Sequence, residues 1–172
     1  MRAQMMVLLL AASLAGCGLI DSMKSPEPVK APRGAHSFMT QSEFSQLYPG
    51  GISCPTSPCT VTVAVGPGCS FSVSPSTLGI PANLQDATIR WVISPGSSGT
   101  VAFTGSGINP KDVGAWQREF HTGVKVSATE FTWVDKNKLL GAPSNRPYGY
   151  NVDVTQNGVA CPRHDPTIVN GN

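Results

Sequence analysis

From Thr60 onward the chain alternates apolar with small polar residues, and this period of two constrains its fold more than any other feature. Val61, Val63 and Val65 alternate with Thr60, Thr62 and Ala64; Phe71 and Val73 alternate with Ser70, Ser72 and Ser74. Ile89, Trp91 and Ile93 alternate with Thr88, Arg90 and Val92, and Tyr148, Tyr150, Val152 and Val154 with Gly149, Asn151, Asp153 and Thr155. In an extended strand successive side chains point to opposite faces, so each run presents one apolar face and one polar face. Val101 with Phe103, Val124 with Val126, and Phe131 with Trp133 add shorter candidates. Gly66-Pro67-Gly68 and other Gly, Ser and Pro clusters separate the runs as turns. Pro166-Thr167-Ile168-Val169 would close the set as an edge strand, where a leading proline is tolerated. The chain holds 18 glycines and 15 prolines, both penalised inside helices, and no apolar helical stripe of four turns occurs. The pattern predicts an all-β fold, a single antiparallel β-sandwich of about seven or eight strands over residues 38–172. Ahead of the strands, Thr40 or Ser42 would cap one short helical turn carrying Phe44, Leu47 and Tyr48, ended by Pro49-Gly50-Gly51, or the segment would be irregular and packed on the domain.

The amino-terminal residues read differently. Arg2 is followed by an apolar run over residues 5–15 that is too short to span a bilayer, which takes about 20 residues. A positive start, a short apolar stretch and small residues before a cut site make an export signal. The run ends in Leu14-Ala15-Gly16-Cys17, which resembles the lipobox of bacterial lipoproteins. That resemblance implies cleavage after residues 1–16, diacylglycerol on Cys17 and acylation of the new amino terminus. Gly18 stands where an aspartate tends to retain such proteins at the inner membrane, so the resemblance implies the outer membrane, on the periplasmic face. Residues 17–37 carry Ser25-Pro26-Glu27-Pro28 and Ala31-Pro32-Arg33-Gly34 and few apolar side chains, as expected of a lipid-anchored flexible tether.

Five cysteines are present, and assigning Cys17 to lipid leaves Cys54, Cys59, Cys69 and Cys161. Four cysteines in an exported chain read as two disulfides with three available connectivities. The preferred one joins Cys54 to Cys59 across a tight loop and Cys69 to Cys161 across most of the domain.

Trp91, mid-strand between two isoleucines, resembles the buried tryptophan of immunoglobulin-like domains, and Asn145-Arg146-Pro147-Tyr148-Gly149-Tyr150 is similar to their tyrosine corner. Tyr150 stands where the antibody pattern has its second cysteine, so that disulfide does not transfer. A cupredoxin-like sandwich has nearly the same strand pattern, and both topologies stay open. The last two thirds of the chain also resemble small uncharacterised secreted proteins of proteobacteria, a likeness that implies a shared fold and brings no activity.

The chemistry-bearing residues are few. Charged residues make up 13% of the chain, 12 basic against 10 acidic, with no basic patch of the kind that binds nucleic acid. His121, Cys161 and His164 would supply two imidazoles and a thiolate to copper, which sets out an alternative function in metal handling. Against it, no methionine follows His164, and a copper-bound Cys161 would leave an odd thiol. No serine lies in Gly-x-Ser-x-Gly, Gly105-Ser106-Gly107 reads as a turn, and Glu119 and Glu130 read as solvated residues. Asp135-Lys136-Asn137-Lys138 reads as a polar turn, since its lysines oppose a calcium loop. Trp116, Arg118 and Phe120 sit in a segment between strands, and tryptophan and arginine are favoured at binding hot spots; this segment is the candidate partner-binding loop. The alternative role for Trp116 and Phe120 is to cap the open end of the sandwich. The sequence thus predicts a non-enzymatic binding or structural accessory module of the cell envelope, without cofactor or metal. The membrane is its partner through lipid, and an envelope protein or glycan is its target. Inhibition of an envelope-directed hydrolase is a further alternative.

Overall fold

A computed structural model of the chain describes residues 40–138 and 146–171. The signal over residues 1–16, Cys17 and the tether over residues 17–37 lie outside the described residues, as does Asn145 of the corner motif.

The described chain opens with helix α1 (Gln41–Leu47). Thr40 caps it in a capping box: its hydroxyl accepts from the Glu43 N–H, while the Glu43 carboxylate accepts from the Thr40 N–H. Phe44 is the helix's buried residue. The strands follow: β1 (Ile52–Ser53), β2 (Cys59–Val65), β3 (Phe71–Ser74), β4 (Thr77–Ile80), β5 (Ala87–Ile93) and β6 (Val101–Pro110). After helix α2 (Val113–Glu119) come β7 (Val124–Lys125), β8 (Glu130–Asp135), β9 (Arg146–Gln156), β10 (Val159–Ala160) and β11 (Thr167–Asn170).

The fold is mostly β and its strands form two sheets. One runs β3-β2-β5-β8-β7; the other runs β1-β4-β11-β9-β10, with β6 also paired to β9. Both sheets are mixed, which corrects the expectation of a purely antiparallel arrangement. β2 pairs with β5 in parallel, as do β1 with β4 and β4 with β11. The cause lies in β4. After the β2–β3 hairpin the chain places β4 in the other sheet, then returns to lay β5 on the free side of β2, and a return by crossover gives parallel strands. The closing strand is also not an edge. β11 lies between β4 and β9, and Pro166 precedes it, so the missing N–H falls outside the ladder while the Pro166 carbonyl accepts from Tyr150 N. Gly105-Ser106-Gly107 is an irregularity within β6, where the register with β9 shifts between Phe103 and Ile108. Gly107 has φ +40 there and lies against the Phe131 ring, leaving no room for a side chain.

The period of two reads out directly in burial. Cys59, Val61, Val63 and Val65 of β2 are buried, as are Ala87, Ile89, Trp91 and Ile93 of β5, and Tyr148, Tyr150, Val152 and Val154 of β9. Residues of both sheets join one hydrophobic core. Trp91 and Tyr150 meet edge to face at 5.4 Å, and the Trp91 indole donates to the Tyr150 hydroxyl at 3.0 Å. Disulfides join Cys54 to Cys59 and Cys69 to Cys161, the pairing preferred from the spacing.

Candidate functional site

The segment read as a loop is helix α2. Asp112 caps it by accepting from Ala115 N, and Ala115, Trp116 and Glu119 face inward, with Phe120 buried just beyond the last turn. Trp116 and Phe120 are 1% and 2% exposed, which places them in the core rather than on a free loop. Their rings stack at 4.0 Å, and Trp116 meets Trp133 at 5.2 Å and Tyr150 at 6.0 Å. Arg118 and its neighbour Gln117 are exposed, as are Val113 and Gly114 at the start of the helix.

Beside the end of α2 lies a cleft of about 350 Å³, lined by Gln117, Phe120, His121, Thr122, Trp133 and Lys136. The local fold explains each wall. Phe120 and Asp135 form a short antiparallel bridge, and the His121 and Lys136 amides donate to the Val134 and Glu119 carbonyls, so the chain leaving α2 runs against the end of β8. Gly123 packs flat on the Trp133 indole, where a Cβ would overlap the ring, and this fixes one face of that aromatic wall. The Lys136 ammonium reaches the carbonyls of Gln117 and Arg118 at 3.1 and 3.5 Å, serving two acceptors that the helix end leaves open. His121 lies 3.8 Å from the exposed Asp86 carboxylate at the rim. The cleft therefore offers aromatic surface with amide, hydroxyl, imidazole and ammonium groups around it.

Next to the cleft sits a buried polar cluster that includes Glu119, expected from sequence to be solvated, and Asp135 and Asn137, expected in a polar turn. Glu119 is 6% exposed, Asp135 and Asn137 are fully buried, and Asn170 is 2% exposed. Asn170 Nδ2 donates to Glu119 Oε1 at 3.1 Å and to Asp135 Oδ1 at 3.2 Å; Asn137 N donates to Asp135 Oδ1 at 2.9 Å. Asn137, at φ +45, also donates its side-chain amide to the Pro81 and Leu84 carbonyls. Burial raises the Glu119 carboxyl above its ordinary range and pushes Asp135 up to about 7. So Asp135-Lys136-Asn137-Lys138, expected as a polar turn, has Asp135 and Asn137 in the interior. Glu119 is interior too, four residues after Ala115 on the buried face of α2. Glu130, by contrast, keeps a surface partner, a two-pronged pair with Arg90 at 2.6 and 2.8 Å.

The alternative copper ligands do not assemble. Cys161 is bonded to Cys69, so it has no thiolate to offer. His164 bridges to Val152 with its ring 5.3 Å from Phe71, while His121 belongs to the cleft rim. Among the described residues no group of three or more His, Cys, Asp and Glu is placed to hold a metal, and no helix is long and apolar enough to cross a membrane. No family model matches the chain, no curated protein matches its sequence and no solved structure matches its fold.

Proposed function

We propose that this chain is an outer-membrane lipoprotein facing the periplasm, anchored through Cys17 and tethered by residues 17–37. Its domain is a non-enzymatic binding module for an envelope glycan or protein. The single observation that carries the binding reading is the cleft between the end of α2 and β8, where an indole wall is ringed by Gln117, His121, Thr122 and Lys136. Binding sites pair apolar or aromatic surface with a few placed polar groups, and this cleft has both. We also propose that the two mixed sheets pack face to face as a sandwich, a reading supported by the core contacts of Trp91 with Tyr150 and of Phe103 with Phe131. The lipid supplies the address. Each buried methylene contributes ~0.8 kcal/mol, and two or more acyl chains hold a protein stably.

Both parts are tested on the full-length protein. Cys17→Ser is expected to move it from the membrane fraction to the soluble periplasmic fraction; an unchanged distribution overturns the anchor. Binding to purified cell-wall glycan fragments and to envelope proteins is compared between wild type and a Gln117→Ala, His121→Ala, Lys136→Ala triple variant. Affinity is expected to fall about tenfold or more while circular dichroism shows the variant still folded at the assay temperature. Equal affinity for the variant removes the cleft from the function.

A further inference from the structure

Glu119 and Asp135 reach the same buried point from different elements, the end of α2 and the end of β8. Asn170, from β11, gives one amide nitrogen to both carboxyl groups. This arrangement leaves two acids without enough donors. Asp135 Oδ2, in a fully buried residue, has no hydrogen-bond partner.

Lys136 and Arg146 are near enough to favour the Glu119 carboxylate, but each gives its closest contacts to other groups. The Lys136 ammonium, on β8's side, is turned to the carbonyls of Gln117 and Arg118. Arg146, on β9, lies 4.0 Å from the Asp112 carboxylate and over the Tyr148 ring. Arg118, on α2, is exposed, and Asp86, at the loop before β5, adds further negative charge. Tyr148, on β9, stays neutral, its phenol pushed up by burial and by Glu119. The Lys138 backbone N–H favours the Glu119 carboxylate, and Asn137 favours that of Asp135. Among the described residues, no ion pair joins either acid to a cation.

Two adjacent carboxylates in a water-poor interior cannot both stay ionised unless something positive sits between them. One proton meets that need, because it removes one charge and turns one acceptor into a donor. We propose that Glu119 and Asp135 form a buried carboxyl pair that holds one proton, and that giving it up to solvent loosens the α2–β8–β11 junction next to the cleft. The pair titrates as a unit. Its direction follows from Asp135, whose folded value of about 7 lies above the ordinary 3.8. A raised acid stabilises the fold least when ionised, so stability is greatest below about pH 4 and is lost as pH rises through about 7. The inference does not depend on what the cleft binds.

The test uses the full-length protein in detergent. Infrared difference spectra are expected to show a protonated-carboxyl C=O band near pH 6 that disappears by about pH 8, and that is missing in Asp135→Asn. Over the same range the wild-type melting temperature is expected to fall by about 5 °C more than that of Asp135→Asn. Amide exchange in α2, corrected for the intrinsic pH effect, is expected to speed up in wild type and to stay level in the variant. If Asp135→Asn does not fold, the wild-type infrared titration and Glu119→Gln decide. Three outcomes overturn the proposal: absence of the carboxyl band near pH 6, parallel melting profiles, or α2 exchange indifferent to pH. Calcium raising the melting temperature at pH 8, only with Asp135 present, also overturns it, because the oxygens would then hold a cation instead of a proton.

Discussion

Tyr150 is the hydrogen-bond partner of the core tryptophan, Trp91. Its hydroxyl accepts from Trp91 Nε1 between two rings that are both fully buried. Burial holds the Tyr150 phenol far above its usual range, so it remains neutral across the physiological span. Removing the hydroxyl leaves a buried indole N–H without an acceptor, which costs about 1–3 kcal/mol. Tyr150→Phe is therefore expected to lower unfolding free energy by that amount in urea titration with an unchanged slope. A loss well under 1 kcal/mol would mean that the indole finds another acceptor. The same scale explains why Glu119 was read as solvated. A glutamate carries no mark of its own surroundings, and only the packing of α2 against β8 and β11 takes its water away.

At the scale of elements, the two helices differ in how plainly they are written. α1 was legible in part, with Thr40 one of two candidate caps and Pro49-Gly50-Gly51 as the stop, and the structure adds the reciprocal Glu43 bond that closes the cap. It docks by pressing the Phe44 ring onto Gly51 and Gly79, where a Cβ would sit 2.7 Å from ring carbons. Gly79→Ala is expected to cost about 1–3 kcal/mol by overpacking, read as a lower melting temperature together with faster amide exchange in α1. Unchanged exchange would show that α1 is not held by this contact. α2 is short, opens with Val113-Gly114 and buries only a narrow stripe, so its period of 3.6 has too few turns to stand out. The pairs Ala115 with Glu119 and Trp116 with Phe120, each four apart, were the available signal.

Across the molecule, the Cys69–Cys161 bond spans 92 residues of sequence and ties the short turn Pro67–Cys69 before β3 to the segment after β10. Closing so long a loop removes unfolded-state entropy worth about 4–5 kcal/mol in the chain-entropy model, against much less for the five-residue separation of Cys54 and Cys59. A Cys69→Ser, Cys161→Ser variant is expected to lose several kcal/mol in denaturant unfolding. Equal stability of that variant and the wild type would show that the bond adds nothing the sheets do not already supply. The Gln156 side chain reinforces the same region, accepting from Cys69 N and donating to the Gly66 and Ser98 carbonyls.

The sequence by itself determined which residues face inward along β2, β5 and β9, that four cysteines would pair among themselves, and that turns of Gly and Pro divide short strands. These are local properties: alternation in an extended chain sorts side chains without reference to any partner strand. Tertiary structure alone decided that β4 and β11 lie side by side in parallel, that β5 returns to the far side of β2, and that Glu119 and Asp135 meet in the interior. Strand partners are joined by backbone hydrogen bonds that every residue except proline can both give and accept, so side chains record little of the choice. Likewise, the charge state of a carboxyl group follows from the water and charges around it, which only the assembled fold arranges.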